Sequence, residues 1–241
     1  MIRSLLLATL LATSILSFAQ NTRLVADANA QKRSVSGFHA IRISGGIDLY
    51  LNQGGEEAVA ISASDPEIRD QIRTEVENGV LKIYLERKDW HFRDHFRNVK
   101  MKAYVSVKQL DAMDASGGSD IFIQDVLRSD RLKVGLSGGS ELKGQVAIGD
   151  LSLDQSGGAD VFIKGTASNL SIQASGGSDL HGYDLSSEVC KVHSSGGSDV
   201  QITVNKELDV SASGGSDVYY KGACSVRQLS ASGGSDVVKK G

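Results

Sequence analysis

Short alternations of apolar and polar residues recur along the second half of the chain, each interrupted by a pair of glycines. The phrase Ser-Gly-Gly-Ser-Asp, or a near copy, marks each interruption, and from Ser116 its copies start 21, 19, 19, 20, 18 and 19 residues apart. The copies begin at Ser116, Ser137, Ser156, Ser175, Ser195, Ser213 and Ser232, after an outlying copy at Ser44. A repeat of this length is typical of stacked units, none of which buries its apolar face alone.

The apolar positions of the repeat keep a fixed distance from its first serine. The residue five positions after this serine is apolar in every copy, and the residues five and three positions before it are mostly apolar, as at Leu132 and Val134 before Ser137. Because side chains alternate between the two faces of a strand, the pattern predicts two short strands per repeat, each with one buried face.

Two all-β architectures fit this pattern, an array of antiparallel hairpins and a parallel β-helix. Loops at separate hairpin tips are free to vary, whereas stacked coils place like residues above like. The nearly constant glycine turn therefore favours a parallel β-helix (β-solenoid) with coils of about 19 residues, and the crossover rule predicts a right-handed one. We expect a single domain over residues 34–241, less regular over 34–110 and regular over 111–241.

The first residues have the pattern of a secretory signal peptide, which we place at residues 1–19. Arg3 precedes an apolar run, and Ser17-Phe18-Ala19 resembles a cleavage site. The run is shorter than the roughly 20 residues of a membrane-spanning helix, so an uncleaved anchor is the weaker interpretation. The sequence has no cysteine near this predicted cleavage site, which argues against a lipoprotein anchor. We predict an exported chain with no transmembrane segment in its mature part and with residues 20–33 as a loose leader.

Three local signals lie in the less regular part of the chain. Asp65 and Pro66 are typical of the cap and first position of a short helix. Asn78-Gly79 predicts a two-residue hairpin turn, since both residues accept positive φ. Residues 99–105 alternate and predict a further strand.

An insert before that strand is rich in aromatic and basic residues. Its candidate contact residues for a partner or a glycan are Trp90, Phe92, Arg93, Phe96 and Arg97. Exposed aromatics beside arginines are favoured where proteins touch glycans, lipid headgroups or other proteins. His91 and His95 have a helical spacing that zinc sites use, but Phe92 stands where a zinc protease carries its glutamate. A plain amphipathic loop or helical turn is the simpler interpretation.

Composition narrows the function classes. The net charge of −3 and the absence of a long basic tract argue against nucleic acid binding. The 27 glycines and the single proline suit many strands joined by tight turns. Cys190 and Cys224 occupy different repeat positions, so we expect two free thiols. No pattern points to a cofactor.

Stacked coils would place one carboxylate per repeat in a single file. Neighbours about 5 Å apart repel by about 3 kcal/mol at an effective dielectric of 20. We interpret each carboxylate as closing its own turn, with glycine N–H groups and serine hydroxyls as donors. Calcium along the file is a second interpretation. A catalytic site is a third, although acid–base catalysis needs carboxyl groups in distinct environments.

Several of these segments together resemble a known family, described as putative auto-transporter adhesin, head GIN domain. The resemblance spans roughly residues 34–223 and depends on the order of four segments. These are Val35–Ile41, Ile47–Leu51 with Gln53-Gly54, Thr74–Ile83 and the run of glycine turns. The family is common in Bacteroidetes. The resemblance implies a right-handed parallel β-helix, export to the periplasm or cell surface, and an adhesion-like role, with no catalytic residues to carry over.

The sequence therefore predicts an exported, non-enzymatic, adhesin-like binding or scaffolding protein of the bacterial cell envelope. Its partner would be an envelope protein or a glycan. The alternatives are a carbohydrate-binding or carbohydrate-cleaving parallel β-helix and a calcium-stabilised structural module. Val237 and Val238 lie near an open last coil, which predicts self-association there, with Lys239 and Lys240 as possible guards against edge pairing.

Overall fold

A computed structural model describes residues 27–86 and 99–241, and these residues form one helix and sixteen strands. The helix, α1, spans Pro66–Gln71. The strands are β1 Gln31–Arg33, β2 Ala40–Ser44, β3 Ile47–Gln53, β4 Ala58–Ala63, β5 Ile72–Glu77, β6 Val80–Leu85, β7 Met101–Val107, β8 Ala112–Ser116, β9 Ile121–Leu136, β10 Glu141–Gln155, β11 Asp160–Ala174, β12 Asp179–Ser194, β13 Asp199–Ala212, β14 Asp217–Lys221, β15 Ser225–Ala231 and β16 Asp236–Lys239.

The regular half of the chain is a parallel β-solenoid, as predicted. Strands β9 to β13 pair in sequence order and in parallel, β14 and β15 both pair with β13, and β16 pairs with β14. Equivalent repeat positions stack, so that Asp160 lies beside Asp179 and Asp179 beside Asp199. The antiparallel alternative is therefore wrong for this half.

The core follows the apolar columns of the repeat. Leu142, Val161, Leu180 and Val200, each five positions after a first serine, are fully buried. The positions five and three before the serine are buried as well, including Leu132 and Val134. Burying such a side chain contributes roughly 1.5–3 kcal/mol relative to exposure. These stacked apolar positions together form one continuous core that runs through the coils.

The outlying glycine turn at Ser44 belongs to the same stack. Strands β2 and β3 form a coil whose Ser44 lies beside Ser116 and whose Leu49 lies beside Ile121. After β3, the chain builds β4 to β7 on the N-terminal side of this coil, where β6 pairs with β2 and β7 pairs with β3. It then returns as β8, which pairs with β2 on the side that faces the regular coils. Spatial order therefore departs from chain order at this end.

Antiparallel strands close the N-terminal end. Strand β5 pairs with β6, and β4 pairs with β7, both antiparallel. Strand β1 then covers the edge of β4, with Lys32 beside Ala60. The prediction of a loose leader is thus wrong for residues 31–33. A free strand edge pairs with any extended backbone, so this short polar segment needs no apolar periodicity.

The local signals of the N-terminal part are confirmed. Asp65 caps α1 by accepting a 2.8 Å hydrogen bond from the Glu67 backbone N–H. Asn78 and Gly79 have φ of 51° and 77°, as the predicted hairpin turn between β5 and β6 requires. The strand predicted at 99–105 is β7, which begins at Met101.

Cys190 and Cys224 are free thiols, as predicted. The signal peptide at 1–19 and the contact residues Trp90, Phe92, Arg93, Phe96 and Arg97 lie outside the described residues. Among residues 27–86 and 99–241, no helix has the length and apolarity needed to cross a bilayer.

Candidate ligand-binding face

The glycine corners are stacked by backbone hydrogen bonds. In successive coils the second glycine donates its N–H to the carbonyl of the first glycine below it, at 2.8 Å from Gly177 to Gly157 and 2.7 Å from Gly197 to Gly176. The first glycine has positive φ, 78° at Gly176. The prediction that the second glycine's N–H donates to a carboxylate is therefore wrong at these corners, because that N–H already donates to the glycine carbonyl of the neighbouring coil.

The second serine closes several of the corners. The Ser198 hydroxyl donates to the Ser195 carbonyl at 3.1 Å, and the Ser216 hydroxyl donates to the Ser213 carbonyl at 3.0 Å. These second serines point inward and are buried. In one coil Ala159 takes this place. The interpretation that the aspartate closes its own turn is thus wrong, since the hydroxyl one position earlier does so from inside.

The carboxylates point outward, and three of them connect one coil to the next. We call them the carboxylate file: Asp48, Asp120, Glu141, Asp160, Asp179, Asp199, Asp217 and Asp236. The Asp120 carboxylate accepts the Glu141 backbone N–H at 3.0 Å, and the Asp217 carboxylate accepts the Asp236 backbone N–H at 3.1 Å. Each of these carboxylates therefore supports the following coil, in register with the strand ladder.

Partial burial disfavours the charged form of three carboxylates in the file. It raises the pKa of Asp48, Asp120 and Asp199 above the ordinary aspartate value. Repulsion adds to this shift, from Asp120 at Asp48 and from Asp179 and Asp217 at Asp199. These aspartates therefore take up protons at a higher pH than isolated aspartates do.

Cations are sparse along the file. Among the described residues, only Glu141 of the file forms an ion pair, with the Lys143 Nζ at 2.6 Å. No group of three or more His, Cys, Asp or Glu in the described ranges is arranged to hold a metal ion. The described residues therefore offer no preformed calcium site along the file.

A second file of side chains runs beside the carboxylates on the same outer surface. We call it the outer ladder: Tyr104, Tyr50, Phe122, Lys143, Phe162, His181, Gln201 and Tyr219. Its members lie side by side in the strand register, each two positions after a carboxylate of the file, except Tyr104, which follows Lys102. Residues two apart in a strand face the same side. The two files therefore form one surface.

Two groups of aromatic side chains in the ladder form stacks. The Tyr50 ring centroid lies 5.2 Å from that of Tyr104 and 5.2 Å from that of Phe122. Phe162 and His181 stack at 4.5 Å with an interplanar angle of 11°. The Lys143 Nζ lies 5.1 Å from the Phe162 centroid. The coil spacing thus sets the ring spacing, and the solenoid holds the rings in place.

A groove opens where the ladder is most exposed. It has a volume of about 650 Å³. Its walls include Phe122, Gln124, Asp125, Lys143, Gln145, Phe162, Lys164, His181 and Asp184. Phe162 is 37% exposed, and Lys143 and His181 are exposed beside it. The groove therefore presents aromatic side chains, amides and charges to solvent.

The longer coils shape this groove. The coils of 21 and 20 residues, starting at Ser116 and Ser175, carry their extra residues here. They produce register shifts between Lys143 and Gln145 and between Phe162 and Gly165. Bulges of this kind redirect side chains. Asp125 and Asp184 are the exposed carboxylates at these two irregularities.

Sequence reasoning missed the outer ladder. The available signal was the column two positions after each carboxylate, which reads Tyr, Phe, Lys, Phe, His, Gln and Tyr from Tyr50 to Tyr219. The structure does not describe the predicted contact residues of the insert.

Solved structures share this fold at low sequence identity. A putative adhesin from Bacteroides fragilis matches with a TM-score of 0.79 and 20% identity, over 88% of this chain and 96% of that one. A protein from Parabacteroides distasonis described as a putative lipid binding protein has a TM-score of 0.67 and 19% identity, over 89% of this chain and 98% of that one. A putative adhesin from Parabacteroides merdae has a TM-score of 0.66 and 20% identity, over 88% and 95% of the two chains.

The family comparison agrees with the resemblance seen in the sequence. No curated protein matches the chain. The family model described as "Putative auto-transporter adhesin, head GIN domain" matches residues 37–224, which include the outer ladder, the carboxylate file as far as Asp217 and most of the solenoid. The chain therefore belongs to the putative auto-transporter adhesin, head GIN domain family.

Proposed function

We propose that this protein is an exported, non-enzymatic binding protein of the bacterial cell envelope, and that the outer ladder is its contact surface. The ladder carries the proposal, because it places aromatic rings outside the core on a rigid frame. Phe162 is 37% exposed and stacks on His181. Aromatic side chains fixed in this way provide contact area at little entropic cost on binding. The family description and the signal-like residues 1–19 support the envelope location.

The carboxylate file supports binding over catalysis. Acid–base catalysis pairs one carboxyl group that holds a proton with another that stays charged. In the file, Asp120, Asp179 and Asp217 each accept the same kind of backbone N–H from the next coil. Such similar surroundings do not separate an acid from a base.

A sedimentation assay with isolated Gram-negative envelopes tests the proposal. We expect the full chain to bind saturably, and the Phe122→Ala/Phe162→Ala variant to need at least about tenfold more protein for half-saturation, since losing two ladder rings removes roughly 1–3 kcal/mol of binding energy. Val189→Ala is the matched control, because Val189 is also 37% exposed and lies outside the ladder.

Three results would contradict the proposal. The full chain binds no envelopes, the ladder variant binds as tightly as the control, or the protein releases cleaved products from the envelope preparation. Circular dichroism and thermal melting of both variants check that the solenoid is intact.

A further inference from the structure

The carboxylate file is a column of like charges with few cations beside it. We infer that it makes the coil stack a pH-sensitive element, which is more stable when the file takes up protons and less stable when all its members are charged. Three features support this inference: the register of the file, its shortage of countercharges and the partial burial of its carboxylates. The inference concerns the solenoid itself and holds whether or not the outer ladder binds a partner.

Strand register holds the carboxylates close together. Asp160, Asp179, Asp199, Asp217 and Asp236 are register partners in successive coils. Hydrogen-bonded strands lie about 4.8 Å apart, which is inside the Debye length of about 8 Å at physiological salt. Because the aspartate side chain is short and the ladder fixes its strand, neighbouring charges stay within range of one another.

The surroundings of Asp199 show the shortage of countercharges. Its register partners are Asp179 in β12 and Asp217 in β14, and none of the three forms an ion pair with another described residue. The other titratable groups near it are the His181 imidazole in β12 and the Tyr219 hydroxyl in β14. The Tyr219 hydroxyl donates to the Asp217 carboxylate at 3.0 Å. Of these groups, only His181 can gain a positive charge.

The N-terminal end of the file has more cations. Asp48 in β3 lies beside Lys102 of β7, and both Lys102 and Lys100 favour its charged form. On its other side Asp120 opposes that form, and the Tyr50 hydroxyl is the titratable group two positions along its own strand. The two lysines do not reverse the balance, because the pKa of Asp48 is raised overall.

Partial burial sets the direction of the pH effect. It is the largest cause of the raised pKa of Asp48, Asp120 and Asp199. At Asp120 the Glu141 carboxylate adds to the rise, while Lys143, the partner of Glu141, opposes it. A carboxyl group with a raised folded-state pKa contributes stability that is complete below the ordinary value of about 3.9 and is lost as the pH rises through the folded-state value. The file therefore favours folding in acid.

Other groups have the opposite pH dependence. The pKa of Asp27 is lowered, chiefly by its hydrogen bond with Ser62, and the ion pair between Arg73 and Glu86 needs a charged carboxylate. Both contributions are lost in acid. The pH dependence of the unchanged chain thus mixes the two directions, and variants of the file are needed to separate them.

Thermal unfolding of the full chain at about pH 7.5 and about pH 4 tests the inference. Asp48→Asn/Asp199→Asn removes two charges of the file and keeps the side-chain shape. At the higher pH we expect this variant to melt at least about 4 °C above the unchanged chain. At the lower pH the difference should shrink by at least about half, because the unchanged chain has taken up protons there. Sodium chloride at about 1 M should also reduce it at the higher pH, since the Debye length falls to about 3 Å.

Asp125→Asn/Asp184→Asn is the matched control. It removes the same number of charges from two exposed aspartates outside the file, so it should melt within about 2 °C of the unchanged chain at both pH values. Three results would overturn the inference. The file variant melts no higher than the control at the higher pH, it folds less well than the unchanged chain, or its advantage is the same at both pH values.

Discussion

The second serine fixes the shape of several corners, although not of all of them. Where it does so, its hydroxyl reaches the carbonyl of the first serine, as Ser198 does to Ser195 from inside the coil. Ser198 also shares a 2.7 Å hydrogen bond with the Ser194 hydroxyl. A turn sequence alone does not distinguish this role from that of the neighbouring aspartate, since both residue types close turns. The direction of the side chain, inward or outward, decides.

Replacing this serine should therefore destabilise the protein. Ser198→Ala removes a buried donor and leaves the Ser195 carbonyl and the Ser194 hydroxyl with one partner fewer, which should lower the free energy of unfolding by about 1–2 kcal/mol. Ser195→Ala is the control in the same corner, because its side chain is exposed. It should change stability by less than about 0.5 kcal/mol. Urea unfolding followed by circular dichroism measures both, and equal losses would contradict the role given to Ser198.

At the scale of the coil, the two glycines of a corner have different roles. Gly176 has φ of 78°, and a Cβ there would lie 2.8 Å from the Gly157 carbonyl oxygen of the coil below. A Cβ at Gly177 would lie 3.9 Å from the same oxygen, at ordinary contact distance. Positive φ and close stacking thus both require glycine at the first position. Neither explains the second glycine at this corner.

Alanine at each glycine tests this difference. Gly176→Ala should lower the free energy of unfolding by about 3 kcal/mol, because left-handed backbone costs roughly 1–2 kcal/mol for alanine and the carbonyl contact adds to it. Gly177→Ala should cost less than about 1 kcal/mol. Thermal and urea unfolding of the pair give the comparison. A similar loss in both variants would show that stacking, as described at Gly157, does not set the requirement.

The parts of the fold that repeat could be predicted from the sequence, and the parts built once could not. Stacking places Leu142, Val161 and Leu180 over one another, so the period is visible in the chain itself. The N-terminal end depends on which distant edges pair, as when β6 and β8 both flank β2. The outer ladder went unnoticed because an exposed column tolerates tyrosine, lysine and histidine alike. Only the register reveals that these side chains are neighbours.

At the scale of the whole molecule, the two ends of the solenoid differ. Antiparallel strands β5, β4 and β1 cover the N-terminal end. At the other end every residue of β15 is exposed. Val226 is 37% and Leu229 is 52% exposed, although their register partners Leu208 and Val210 are buried. The C-terminal coil of this chain thus presents core-type side chains and strand edges to solvent.

Self-association through this coil therefore stays a prediction that the structure makes sharper. An exposed apolar strand edge favours pairing with a second copy, so the full chain should show a mass above that of the monomer, rising with protein concentration in light scattering. Val226→Asp/Leu229→Asp should shift it to the monomer, because charge on that surface opposes burial. Val189→Asp, at a side chain also 37% exposed but on the side of the solenoid, should associate like the unchanged chain. A constant monomer mass for all three proteins would contradict the prediction, and equal dissociation of both variants would assign the contact to general solubility rather than to this end.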